Sequence, residues 1–173
     1  SVWVEGSGDH RDLPSCPKRR SSGLCGPGAL VGAMLGMGHT VLASDKFDYA
    51  ARFPGFIGAP LIGPRWGADF LAAAAPHEHP SCIVTNSPFN DGDGNDVVES
   101  WIEHALALVP RAYFYLPLMR VQGGAGRESI RDRLMDRHLT GLMPCRERDT
   151  MHRDDFTGRK ASGSIAPAWF QIG

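Results

Sequence analysis

From Gly28 onward, short apolar runs alternate with stretches whose apolar residues recur three and four apart. GALVGAML, residues 28–35, predicts a short helix, and TVLASD, residues 40–45, predicts a strand that ends on an acid. GADFL, residues 67–71, predicts a short strand or strand end, and CIVTN, residues 82–86, a buried strand. The strongest helical pattern comes next. Asn95 or Asp96 can cap it, Glu99 lies in its first turn, and Val98, Trp101, Ile102, Ala105, Leu106 and Val109 form one apolar face. Trp101, at helical spacing from Ile102 and Ala105, is read as core. Pro110 ends the helix, and AYFYLPL follows as a strand in which Tyr113 and Tyr115 pack. ESIRDRLMDRHL, residues 128–139, sets Ile130 and Leu134 four apart, with Leu139 beyond, on a charged background, which predicts a surface helix. Two apolar stretches around a polar loop, GLMPC and SIAPAWFQI, close the chain.

Alternation of this kind predicts an α/β fold, a mostly parallel sheet covered by helices. The closing pair adds an antiparallel hairpin at one edge. The first 22 residues fit less well: PSCPKRRSS carries two prolines and three consecutive bases where the fold needs its first buried strand, and SVWV is the nearby apolar run. The sequence therefore divides into an irregular segment, residues 1–22, and a domain, residues 23–173.

Composition changes this picture little. With 173 residues, 42% of them hydrophobic, the chain suits one domain with a real core. Its four cysteines, Cys16, Cys25, Cys82 and Cys145, form no CxxC pair, and no signal peptide or membrane-length apolar run accompanies them. The expectation is a reduced, cytoplasmic protein without a membrane partner; oligomeric state stays open. Net charge is -1, yet residues 1–110 hold 7 Lys and Arg against 12 Asp and Glu, while residues 111–173 hold 11 against 7. The basic excess permits a phosphate-facing surface but does not establish one, because charge runs are usually solvated surface.

Candidate chemistry gathers at two places. Gly23, Gly26 and Gly28 precede the first helix, where a glycine backbone lets a ligand approach closely and a helix N-terminus favours hydrogen-bond acceptors. Asp45 ends the next strand, nineteen residues beyond Gly26, where an acid can accept from both ribose hydroxyls of a nucleotide-like cofactor. A glycine-rich turn with a capping Asp is the alternative. The second place is the end of CIVTN, where Asn86-Ser87-Pro88-Phe89 leads into a loop of Gly, Asp and Asn. An amide, a rigid Pro and a ring at a strand's carboxyl end suit a flat polar ligand as well as a turn. No metal is expected. Asp91-x-Asp93-x-Asn95 begins like a calcium loop but has Asp96 for its glycine and Ile102 for its closing acid. His77-Glu78-His79 lacks the helical spacing of a zinc pair.

GPGALVGAMLGMGHTVLASD, GADFL, CIVTNSPF and WIEHALALVPRAYFYLPL, in this order and spacing, resemble class I S-adenosylmethionine-dependent methyltransferases of the phage and bacterial DNA adenine-modifying type. The tail RERDTMHRDDFTGRKASGSIAPAWF resembles the end of small phage-like members. The resemblance covers about residue 22 to the C-terminus. It implies a Rossmann-like fold, S-adenosylmethionine as cofactor and adenine-N6 methylation of DNA as activity. Asn86 and the Ser87 carbonyl would accept from the exocyclic amine, Pro88 would stiffen the segment, and Phe89 would stack on the base. Gly26, Gly28 and Asp45 would hold the cofactor, with Asp69 accepting from its adenine amine and Phe70 packing on its ring. A capping Asp beside a core Phe is the alternative for that last pair.

Two departures mark this chain. Ser87 stands where the family usually has its first Pro, although the related ribosomal-RNA adenine dimethyltransferases also use Asn-x-Pro-aromatic. KRRSSGLC replaces the acid and small apolar residues expected before Gly26, while VWVEGSGDH also resembles a strand plus first motif, with Glu5, Gly6 and Gly8 in family-like positions. Only one of these segments can serve the cofactor site. Arg153, Arg159 and Lys160, in the basic loop before the last strand, are candidate phosphate contacts of a nucleic-acid partner. RNA or protein-amide methylation, and a non-catalytic binding protein on the same fold, remain the alternatives.

Overall fold

The computed structural model describes residues 2–5, 29–45, 61–66, 69–77, 79–89, 93–121, 135–146 and 166–173; side chains at 3–5, 29, 61–66 and 121 are not included. Among the described residues, one sheet contains β1 (Val2–Glu5), β2 (Val41–Asp45), β3 (Leu61–Trp66), β4 (Cys82–Thr85), β5 (Ala112–Pro117), β6 (Leu139–Pro144) and β7 (Pro167–Ile172). Their order across the sheet is β3-β2-β1-β4-β5-β7-β6. The first five are parallel, β7 runs antiparallel to β5, and β6 runs antiparallel to β7. The predicted α/β class and antiparallel edge pair are both present.

Alternation along the strands divides the core between the sheet's two faces. Leu42, Ile83, Ala112, Phe114, Leu116, Ala168, Phe170 and Ile172 bury on one face together with Val98, Trp101, Ile102 and Ala105 of helix α2 (Val98–Leu108). Val2, Val41, Ala43 and Val84 bury on the other, against Val31, Leu30, Met34 and Leu35 of helix α1 (Ala29–Gly36). Fully burying one side chain such as Ile102 or Phe114 contributes about 1.5–3 kcal/mol. Trp101 belongs to the core, as do Tyr115, which is 2% exposed, and half-buried Tyr113.

Both helices end on local devices the sequence carries. At the close of α1, Gly38 N–H donates to the Leu35 carbonyl and His39 N–H to that of Met34, a paired closure that needs a left-handed residue; Gly38 supplies it with φ 83°. At the start of α2, Asp96 Oδ1 accepts from Val98 N–H at 3.0 Å, satisfying an N–H that has no partner within the helix. Asp96, one of the two residues the sequence offers for this role, lies immediately before the N-cap Val97.

The structure departs from the sequence reading at four places. Of GADFL, expected as a short strand or strand end, the described residues Asp69 to Leu71 lie outside any strand: Phe70–Ala72 is a 3₁₀ turn, because Asp69 Oδ1 captures Leu71 N–H at 3.1 Å and the Asp69 carbonyl accepts from Ala72 N–H. Val2–Glu5, inside the segment read as irregular, is the central strand of the parallel sheet, paired with both β2 and β4. Residues 6–22 lie outside the described residues. β3 was not predicted, since Gly63-Pro64 breaks its apolar run. Pro lacks the N–H a central strand needs, and β3 is an edge strand whose register with β2 shifts between Leu42 and Ser44, opposite that dipeptide. Of the predicted surface helix at 128–139, only residues 135–139 are described: Asp136–His138 makes one short helix, α3, and Leu139 already belongs to β6.

Candidate active site

The chain runs from β1 outward through β2 to β3, then returns across β1 to β4 and continues the other way. Strand order therefore reverses between β1 and β4, and the crevice at their carboxyl ends is where open α/β sheets accept ligands. The sequence sends its polar residues there. Glu5 is in register with Ser44 on β2 and with Thr85 on β4, so Asp45 and Asn86 each lie one residue beyond a single line across the sheet. With β1 between them, β2 and β4 stand about 10 Å apart, two strand spacings.

Apolar packing hides most of each strand and leaves polar residues at its end. On β2, Val41, Leu42 and Ala43 bury, then Ser44 and Asp45, which are 4% and 2% exposed. On β4, Ile83, Val84 and Thr85 bury, then Asn86 at 9% and Ser87 at 2%. Pro88 and Phe89 are half-buried, and Phe89 packs on the α2 side of the core. The Ser87 hydroxyl is buried and has no hydrogen-bond partner among the described residues.

Phe89 is fixed from three directions. Its carbonyl accepts from Val97 N–H at 3.2 Å, which closes the loop back onto the entrance to α2. Its ring packs on the core, and the Arg120 guanidinium lies over it, 5.9 Å from the ring centroid. Arg120 comes from the 3₁₀ turn that follows β5, Leu118–Val121, and pairs through Nη1 with Asp96 Oδ2. Asp96 thus uses one oxygen to hold the first N–H of α2 and the other to hold Arg120. Arg120 was not singled out in the sequence, where it is one of many arginines in the basic C-terminal part.

Asp69 and Phe70 are built as a cap and a core ring. Asp69 is exposed, whereas Phe70 is 2% exposed and stacks on Trp101 with centroids 4.5 Å apart. His104 meets the Phe70 ring edge-on and bonds the Ala73 carbonyl through Nε2 at 3.0 Å, fastening the turn to α2. Gly26, Gly28, Arg153, Arg159 and Lys160 lie outside the described residues. Both glycine motifs fall in 6–28, between β1 and α1, and the strand entering that connection is Val2–Glu5. Among the described residues, no three His, Cys, Asp or Glu side chains group closely enough to hold a metal ion, and no helix is long and apolar enough to cross a membrane.

A buried carboxylate at the end of β2 has the chemistry a ribose diol requires, because an ionised carboxylate only accepts hydrogen bonds and a diol can donate two. Asp45 fits that part of S-adenosylmethionine.

No family model matches the chain, and no curated protein matches it. Solved structures do. Burkholderia thailandensis 1,6-didemethyltoxoflavin-N1-methyltransferase, with bound 1,6-didemethyltoxoflavin and S-adenosylhomocysteine, is similar over 99% of this chain and 69% of its own, at 14% identity and a TM-score of 0.50. A putative methyltransferase from Thermoplasma acidophilum matches over 99% of this chain and 66% of its own, at 10% identity and a TM-score of 0.52. The chain has the Rossmann-like methyltransferase fold. A third structure, described by the conversion of a disulfide bond into a thioacetal group during echinomycin biosynthesis, has 10% identity and a TM-score of 0.51, over 99% of this chain and 74% of its own. The chain thus spans roughly two thirds to three quarters of the length of these neighbours.

Proposed function

We propose that this chain transfers a methyl group from S-adenosylmethionine to an exocyclic amine, with adenine in DNA as the substrate. The observation that carries the reading is the position of Asn86-Ser87-Pro88-Phe89: it leaves β4 at the reversal of strand order, across β1 from the buried carboxylate of Asp45. The neighbour bound to S-adenosylhomocysteine supports the cofactor, and Asp45 with Gly26 and Gly28 would hold it. Asp69 would accept from the cofactor's adenine amine, with Phe70 fixing the turn that presents it.

When bound, S-adenosylmethionine supplies an electrophilic methyl on a positively charged sulfur. Everything else asked of the site is positioning. An amine conjugated with its ring is a weak nucleophile, since its lone pair is shared. Asn86 Oδ1 and the Ser87 carbonyl would each accept a hydrogen bond from one N–H of the amine and favour a pyramidal nitrogen whose lone pair lies out of the ring plane. Phe89 would stack on the base and fix its plane. Preorganised acceptors of this kind act without covalent intermediates. A duplex adenine must leave the stack to reach them. Arg153, Arg159 and Lys160 would contact phosphates, so the basic C-terminal part contributes binding and little sequence selection.

The experiment is transfer of labelled methyl to DNA, RNA and protein side by side, with calorimetric titration of S-adenosylmethionine. Transfer to DNA at adenine N6 is the expected outcome. Transfer only to RNA or protein would move the substrate class, and absence of S-adenosylmethionine binding would leave a methyltransferase-fold binding protein.

A further inference from the structure

We propose that Arg120 is a positioning residue for the target ring, acting through Phe89. The inference rests on the amine-transfer reading of Asn86 to Phe89. Arg120 sits at the carboxyl end of β5, beside the end of β4, and its guanidinium covers Phe89 at 5.9 Å, within the range of a cation–π contact. Asp96, 24 residues away in the chain, fixes the guanidinium through Oδ2.

The arrangement has little to do with stability. Side chains of Arg120 and Asp96 are 22% and 44% exposed, and ion pairs this accessible add almost nothing to folding free energy. What the pair does is geometric. Its anchor, Asp96, also holds the first N–H of α2, and the neighbouring Val97 N–H holds the Phe89 carbonyl, so the ring and the helix entrance form one closed arrangement. A flat cation over a ring fixes the ring's plane and draws π-density toward itself. The Phe89 ring then presents less negative charge to a second, electron-rich ring such as an amino-substituted base, which strengthens stacking. Lys would keep the charge and the ion pair but lose the planar stack.

The test uses the full chain labelled with 4-fluorophenylalanine, the Phe89 resonance being assigned through Phe89→Leu. In Arg120→Gln the Phe89 fluorine resonance shifts while the melting temperature holds; Arg120→Lys restores it in part. A double-mutant cycle supplies the functional arm, read as KM for an adenine-containing single-stranded oligonucleotide. Arg120→Gln raises KM about two- to fivefold, the scale of an exposed cation–π contact. It leaves kcat nearly unchanged and adds nothing further in the Phe89→Leu background. An unmoved resonance overturns the proposal. So does an equal rise in KM in both backgrounds, which would assign Arg120 a direct substrate contact. If no methyl is transferred, the cycle is read as Kd for the same oligonucleotide. A wild-type protein that neither methylates nor binds it removes the amine-transfer reading, and the Phe89 resonance in Arg120→Gln then decides alone whether Arg120 positions the ring.

Discussion

Replacing Ser87 by Ala separates the two groups that this residue brings to the strand end. Its backbone carbonyl is assigned to the substrate amine and survives the change; its hydroxyl is 2% exposed as a residue and bonds to nothing among the described residues. Burying a hydroxyl without a partner costs about 1–3 kcal/mol by mutational measures. Removing it also forfeits the contacts of one oxygen atom, worth a few tenths of a kcal/mol. Ser87→Ala should therefore stabilise the fold by about 1 kcal/mol. For a chain of this length that corresponds to a rise of about 2–4 °C in melting temperature. Thermal and urea unfolding read the stability, and labelled methyl transfer reads the function. Unchanged transfer with a raised Tm is the expected pair of results. A lowered Tm would mean that the hydroxyl has a partner in the fold. A stable variant with lost transfer would mean that the hydroxyl, and not the carbonyl, meets the substrate.

Asp45→Ala should weaken S-adenosylmethionine binding by about 1.5–3 kcal/mol, the scale of hydrogen bonds to a charged group, in calorimetry on a folded variant; unchanged affinity would remove Asp45 from the site. Gly38→Ala should destabilise by about 1–2 kcal/mol in urea unfolding, because φ 83° is left-handed although open space surrounds the added Cβ; an unshifted midpoint would refute the closure described for α1. Burial pushes the Cys82 thiol up, outweighing the lowering by its hydrogen bond with Ser81 and by Arg111. Its folded pKa thus exceeds the unfolded one, so the stability tied to the protonated thiol is full below the unfolded value and is lost as pH rises through the folded one. Peptide-mapped alkylation at pH 8 should accordingly find Cys82 slower in the folded protein than in the unfolded chain, and equal rates would contradict the burial.

Much of this fold is legible locally because apolar spacing survives in the sequence. The face of α2 and the apolar runs of β5 and β7 depend on residues a few positions apart, and all three stand where the sequence puts them. β3 is hidden by Gly63-Pro64, whose meaning as an edge feature emerges only when the neighbouring strand is known. β1 is hidden for another reason. Four residues cannot declare a strand central, and this one becomes so only by pairing with segments near residues 41 and 82. GADFL misleads because Asp69 captures a backbone N–H two residues on, and such local bonds compete with strand formation. In the site, Asn86 to Phe89 are readable as a motif at a strand end. Arg120 is not, because its tie to Asp96 and Phe89 spans 24 and 31 positions and exists only in the folded chain.

Asn86 carries the central claim, since its amide separates an amine methyltransferase from a fold that merely shares the shape. The decisive measurement is the single-turnover rate of methyl transfer to an adenine-containing DNA by Asn86→Ala beside the wild type, with S-adenosylmethionine binding measured on both. The account predicts a variant that folds and binds the cofactor as before, with a rate lower by about 10²–10³, the usual cost of losing one preorganised electrostatic partner. A variant that transfers methyl at the full wild-type rate would contradict it and leave Asn86 as a turn former at the end of β4.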